Sequence, residues 1–306
     1  MQIETVCFIV DESGAKGYSD KREKEAGEFG VMAGFFVLKS DLPTVSSELA
    51  AIQRPYQMIG KSHITDLPSD EQESLRRSTF EYFIKRKIPW SYEAIYVEGL
   101  HNHRRSISAL VGAAKAQRRS NVRFSNHEDH DSLHSKLFQG IFGKGIAFCV
   151  ENVGEKCILE IITDRVDAPI LKDFKQSAFE FMDIGNPQKE IVNGFDLGTR
   201  KPVQGSIVNT SAAEIGSISE LIGDFSGISY SINCQDSPLT FAADVLAQSV
   251  YRWLRKAQTL SLGVSLNTDS VIADHPIAEL VYGTWADPDW EDISGSIYRH
   301  PNKNDK

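Results

Sequence analysis

Apolar and polar positions alternate along the chain in two rhythms. Residues Glu4 to Val10 (ETVCFIV) are apolar on both faces of an extended chain, the pattern of a central strand covered on both sides. The run stops at Asp11-Glu12-Ser13-Gly14, where Gly14 permits a turn. Gly30–Leu38 (GVMAGFFVL) predicts a second strand, after a polar link too long for a tight hairpin. A short helix follows over Leu42–Arg54, then the segment Gly60-Lys61-Ser62-His63-Ile64-Thr65-Asp66. A second helix begins near Ser69, with Glu71 and Glu73 in its first turn complementing the helix dipole. Ile88–Val97 is a third strand.

Ser125 and Glu128 have the spacing of a capping box and predict a helix from there to about Cys149. Cys157–Thr163 (CILEIIT) is a strand ending at Asp164, Ala168–Met182 a helix, and Ile228–Cys234 a short strand. Ser237-Pro238 combines a helix cap with proline at the first helical position, and opens a helix running to about Lys256. Early strands followed by alternating strands and helices predict one α/β domain with a mixed five-stranded sheet flanked by helices. The domain spans 1–258, with helical insertions at about 100–127 and 185–227. The second insertion is Gly/Ser/Asn-rich and carries a short helical piece around Ala212–Ile222. Residues 259–306 form an acidic C-terminal extension, whose segment Trp285–Trp290 reads as a solvated terminus.

Charge changes this picture in one respect. The 306 residues include 33 basic and 42 acidic side chains, a net charge of -9. Such a chain does not wrap nucleic acid over its whole surface, so any contact must use a local basic patch or bound cations. Leu100–His127 is that patch: it holds Arg104, Arg105, Lys115, Arg118, Arg119 and Arg123 and no acid. The four cysteines (Cys7, Cys149, Cys157, Cys234) form no C-x-x-C pair and sit in apolar runs, which predicts buried free thiols in a reducing compartment. No apolar run approaches the ~20 residues that span a bilayer, and no signal-like segment precedes the first strand. The expected location is cytoplasmic, with no membrane partner.

Candidate chemistry lies in three aspartates. Asp11 and Asp164 follow two strands whose helical connections suit parallel neighbours, and sites in open α/β sheets form at such carboxyl ends. Asp244 lies in FAADVLA, where small alanines let a helix approach a sheet and where a lone acid is costly. Three clustered carboxylates favour a hard divalent cation, Mg²⁺ or Mn²⁺. Such ions activate water in phosphodiester cleavage.

Other motifs point elsewhere. His127, His130 and His134 cluster, and His130 and His134 share a helix face that with Asp131 could bind Zn²⁺, but the H-E-x-x-H spacing fails and an exposed polar helix start is expected. Gly140–Lys144 is too short for a P-loop. Asp11-Glu12-Ser13-Gly14-Ala15 with Thr163-Asp164 also suits a von Willebrand A-like metal-dependent binding module, although that reading lacks the second hydroxyl ligand and leaves Asp244 without a role.

FIVDESG at 8–14, KSHITDL at 61–67, ILEIITD at 158–164 and SPLTFAADVLA at 237–247 together resemble the domain of unknown function 3800 family, which is classed with RNase H-like folds. The resemblance covers most of the chain. It implies an RNase H-like sheet and a metal-dependent nuclease acting on DNA or RNA in phage defence or a toxin-like role, with a protein partner in such a system. An inactive nuclease-fold scaffold is the alternative within the same fold. Asp11, Asp164 and Asp244 would be metal ligands, and Glu12 a further carboxylate that strand alternation turns away from Asp11. His63 would handle protons or water, and Glu128 or Asp131 would supply another acid.

Overall fold

The computed structural model describes residues 3–17, 20–56, 63–117, 122–124, 132–154, 156–183, 188–209, 227–283, 295 and 297–301. Strands β1 (Glu4–Gly14), β2 (Phe29–Leu38) and β3 (Trp90–Tyr96) form an antiparallel meander. Two further strands, Cys157–Thr163 and Ile228–Cys234, add in parallel on the other side of β1. The main sheet is therefore mixed and five-stranded, as the pattern of the sequence predicts.

β1 runs on past Asp11. Its pairing with β2 continues through Asp11–Ala33 and Glu12–Met32 to Gly14–Gly30. The local turn preference of Asp-Glu-Ser-Gly yields to the ladder, and only Gly14, at φ +91°, takes the left-handed conformation that ends it.

The remaining elements in chain order are helices α1 (Leu42–Gln53), α2 (Ser69–Arg86) and α3 (Val97–Gln117), the short strand β4 (Val122–Phe124), helix α4 (Leu133–Asn152), β5 (Cys157–Thr163), α5 (Ala168–Met182), β6 (Gln188–Asp196), β7 (Lys201–Asn209), β8 (Ile228–Cys234), α6 (Pro238–Leu260) and α7 (Asp269–Ile272). The sheet order is β3-β2-β1-β5-β8. Strand alternation gives it two apolar faces. Cys7 and Ile9 of β1 pack with Ala242, Ala243, Leu246 and Ala247 of α6. Val6, Phe8 and Val10 pack with Leu137, Phe138, Ile141 and Phe142 of α4. The alanines bring α6 onto the sheet, and α1 and α2 lie against α6.

Several expectations need correction. Helix α4 begins at Leu133, not near Ser125. Its cap is Ser132, whose Oγ accepts from Ser135 N at 3.0 Å, while Ser125–Asp131 lie outside the described residues. The two insertions are not simply helical: β4 of the first pairs with β6 of the second, and β6 with β7, in a three-stranded antiparallel sheet. The piece at Ala212–Ile222 is outside the described residues. The C-terminal extension is partly core. Leu266, Val271, Ile272 and Ile277 are buried with the α6 face, and Trp90 Nε1 donates to Ile277 O at 2.8 Å. This apolar stretch covers sheet surface that would otherwise meet water; Trp285–Trp290 lie outside the described residues. Finally, Cys234 is exposed, because β8 is an edge strand, while Cys7, Cys149 and Cys157 are buried and free. Among the described residues no helix is long and apolar enough to cross a membrane.

Candidate active site

Alternation along β1 decides where its acids point. Cys7 and Ile9 face α6, so Asp11 continues that row; Val6, Phe8 and Val10 face α4, so Glu12 continues the other. The parallel register of β1 and β5 ends at Val10–Thr163. The next residue on each chain is an aspartate, which brings Asp164 beside Asp11 at one end of the sheet. Each carboxylate accepts from the backbone N–H that follows it: Asp11 Oδ1 from Glu12 at 2.8 Å, and Asp164 Oδ1 from Arg165 at 2.7 Å.

The third acid comes from α6. Ser237 caps this helix and Pro238 opens it. Asp244 is only 8% exposed among the alanines that contact the sheet. Its Oδ2 accepts from Ile64 N at 2.6 Å, a short charge-assisted bond. Its Oδ1 lies 3.9 Å from His63 Nδ1. A 3₁₀ turn over Ile64–Asp66 positions both groups. Ile64 and Leu67 bury against Leu75 of α2 and Val245 of α6, which pins the turn and leaves the His63 side chain half exposed. Asp66 closes the turn by accepting from His63 N at 3.2 Å. Lys61 and Ser62 lie outside the described residues.

The electrostatics follow from this crowding. Burial pushes the Asp11 carboxyl well above the usual range; Asp244, Glu12 and Asp164 push it further, and the Glu12 N–H opposes them. Asp244 is raised as well, first by burial and then by Asp164 and Asp66, against the Ile64 N–H and His63. No Lys or Arg forms an ion pair with Asp11, Asp164 or Asp244 among the described residues. Among the described residues Lys16 and Arg76 reach Asp11 and Asp244 only through space, without an ion pair, so the cluster can take up either protons or a metal ion.

The donor set fits a hard divalent cation: carboxylate oxygens, partly dehydrated and mutually repelling. Their side chains do not form a ready cage, however, since no three His, Cys, Asp or Glu groups among the described residues converge on a common point. Any ion held here would have to draw the carboxylates together.

Glu12 stands apart from this set. Its Oε1 is 2.9 Å from Lys16 Nζ and 3.4 Å from His134 Nε2, on the α4 side. His134 thus has a carboxylate partner, and His127, Glu128, His130 and Asp131 lie outside the described residues. Of the basic segment, Arg104 is half-buried and Arg105 exposed on α3, Lys115 lies on α3 and Arg123 on β4, and Arg118 and Arg119 are outside the described residues. Helix α3 leaves β3 at the end of the sheet that carries Asp11, two strands away, because Tyr96 pairs with Phe29 and Gly30 with Gly14.

Two polar groups missed in the sequence are structural. Lys144, the lysine of the Gly140–Lys144 segment, is buried in α4 with Nζ 3.0 Å from Glu93 Oε2. Ser249 Oγ lies 3.1 Å from His275 Nε2. His275 Nδ1 accepts from Ile277 N at 3.4 Å, so Nε2 carries the proton and donates to the serine. Burial pushes this imidazole down to about 4, and it is no base toward Ser249. Asp66 is a fourth acid near Asp244 that spacing alone does not single out, because only the folded turn brings it there.

Comparison with protein-family models, with curated proteins and with solved structures finds no match to this chain.

Proposed function

We propose that this protein is a divalent-metal-dependent nuclease with an RNase H-like fold, hydrolysing phosphodiester bonds of DNA or RNA. The carrying observation is the approach of Asp11, Asp164 and Asp244, from two parallel strands and a buried helix, near enough to act on one another's charge though not converged on one point, with no Lys or Arg ion-paired to them among the described residues. The sheet supports the fold reading: three antiparallel strands, with two parallel strands added along the first. A role in phage defence or as a toxin, with a protein partner, belongs to the same proposal.

Asp11, Asp164 and Asp244 would hold Mg²⁺ or Mn²⁺. The bound ion would supply a polarised phosphoryl group and an acidified water. The protein's own contributions are positional. The Ile64 N–H fixes one Asp244 oxygen and leaves the other directed toward His63. His63, half exposed on its anchored turn, can orient water or protonate a departing oxygen. Glu12, paired with Lys16 and 3.4 Å from His134 Nε2, acts on the site through its field.

The test is cleavage of single- and double-stranded DNA and RNA with Mg²⁺, with Mn²⁺ and with EDTA, comparing wild type with Asp11→Ala. Cleavage requiring both a metal and Asp11 is expected. Metal-independent cleavage, or full activity in Asp11→Ala, refutes the proposal; metal binding without cleavage of any substrate would leave the binding-module or scaffold reading.

A further inference from the structure

Helices α2 and α6 lie side by side, and their seam opens into a groove of about 470 Å³. Arg76, Arg77, Arg252, Lys256, Trp253 and Phe80 line it. Two acids, Glu73 and Glu81, also line it, so the cations are in excess in an otherwise acidic chain. Arg76 is the fixed member. It is 5% exposed; its Nε and Nη2 donate to Gln248 Oε1 at 3.2 and 2.7 Å, and its Nη1 lies 3.3 Å from Glu73 Oε2. Arg252 crowds it with like charge. Arg77 and Arg252 are exposed and have no ion-pair partner among the described residues. Lys256 Nζ sits 5.3 Å over the Trp253 ring.

The groove approaches the acidic site through Arg76, which lines it and feels the charge of Asp244. Asp244, Gln248, Arg252 and Lys256 occupy successive turns of α6. At about 1.5 Å per residue, the cations extend along the helix to roughly 18 Å from Asp244. Like charges held along one seam, two of them (Arg77 and Arg252) without an ion-pair partner among the described residues, suit a ligand that repeats its negative charge along a line. The half-buried Trp253 and buried Phe80 add an apolar wall for sugars or bases.

We propose that the α2–α6 groove binds the sugar–phosphate backbone of a nucleic-acid strand and leads it to the carboxylate site. The choice of ligand rests on the nuclease reading above; the groove itself is tested by binding. It is a second basic surface, separate from the segment on α3.

The experiment measures fluorescence anisotropy of a labelled single-stranded oligonucleotide in EDTA across a salt series. It compares wild type, Arg77→Gln/Arg252→Gln, the conservative Arg77→Lys/Arg252→Lys, and Arg104→Gln/Arg105→Gln. Removing two backbone contacts should weaken binding about tenfold and flatten the plot of log affinity against log salt by about 1.4. The lysine pair should restore most of both. Unchanged affinity and slope in the glutamine pair overturns the groove, as does the absence of any binding by wild type. Cleavage is scored separately on the same proteins. Asp11-dependent cleavage with unaltered binding would overturn the groove alone. Groove-dependent binding without cleavage would support the groove and overturn the nuclease reading.

Discussion

Asp11→Asn should make the metal-free protein more stable at neutral pH. The substitution keeps the side chain's size and leaves an oxygen to accept the Glu12 N–H, bonded at 2.8 Å in the native chain. It removes one charge from a group already disfavoured by burial and by Asp244, Glu12 and Asp164. The sign follows from linkage. The unfolded chain releases this proton in the ordinary carboxylate range, whereas the folded chain holds it to higher pH. Across that interval the native state binds more protons, so wild-type stability falls as pH rises. Asparagine undergoes no such loss. The difference between the two proteins should therefore be small below the ordinary carboxylate range and widen as pH climbs through the raised folded value.

Two unit charges about 4 Å apart interact by about 4 kcal/mol at an effective dielectric near 20. Partial exposure and relaxation leave an expected net gain of about 1 kcal/mol, or about 2 °C in Tm. Thermal denaturation of both proteins in EDTA at pH 4 and pH 8 measures it. Saturating Mg²⁺ or Mn²⁺ should then reverse the order, because a ligand at a hundred times its Kd adds about 2.7 kcal/mol to the state that binds it. Lower stability of Asp11→Asn at pH 8 in EDTA, or a difference that does not change with pH, would refute the electrostatic argument.

Two further outcomes follow from the same geometry. Asp244→Ala orphans the Ile64 N–H and should cost about 1–3 kcal/mol in chemical denaturation, with faster hydrogen exchange at Ile64; Asp244→Asn keeps an acceptor and should lose less stability, though both lose cleavage. Ser237→Ala removes the α6 cap that accepts from Thr240 N at 3.3 Å and should lower stability by about 1 kcal/mol in urea denaturation, with no change in metal affinity, because the cap lies nearly two turns before Asp244.

The elements most legible in the sequence are those whose local pattern and tertiary setting agree. Glu4–Val10 is apolar at both odd and even positions because both faces of β1 are covered, by α6 and by α4. Ser237-Pro238 marks the start of α6 because capping is settled within one turn. The same alternation is enough to part Glu12 from Asp11, and the parallel helical connection is enough to align Asp11 with Asp164. Where local preference and pairing disagree, pairing prevails: Asp11–Gly14 stays in the strand because β2 offers it a ladder. Ser125 and Glu128 have cap spacing, yet the helix begins after Ser132.

Side-chain partners between distant segments depend on how helices pack, and no periodicity records that. The Ile64 N–H reaches Asp244 across 180 positions of sequence only because Ile64 and Leu67 bury against Leu75 and Val245. The joining of the two insertions through β4 and β6, and the entry of Leu266–Ile277 into the core, likewise depend on distant surfaces needing cover. The cations of α2 and α6 look like ordinary solvated faces when each helix is read alone. Their shared groove exists because Arg76 is drawn in to bond Gln248 of the neighbouring helix, which leaves Arg77 and Arg252 facing solvent along the seam. The amino-acid sequence thus determined the strands of the main sheet, the start of α6 and the opposite faces of Asp11 and Glu12, since these follow from patterns a few residues long. Tertiary packing alone decided which backbone groups hold those acids and which charges share a surface.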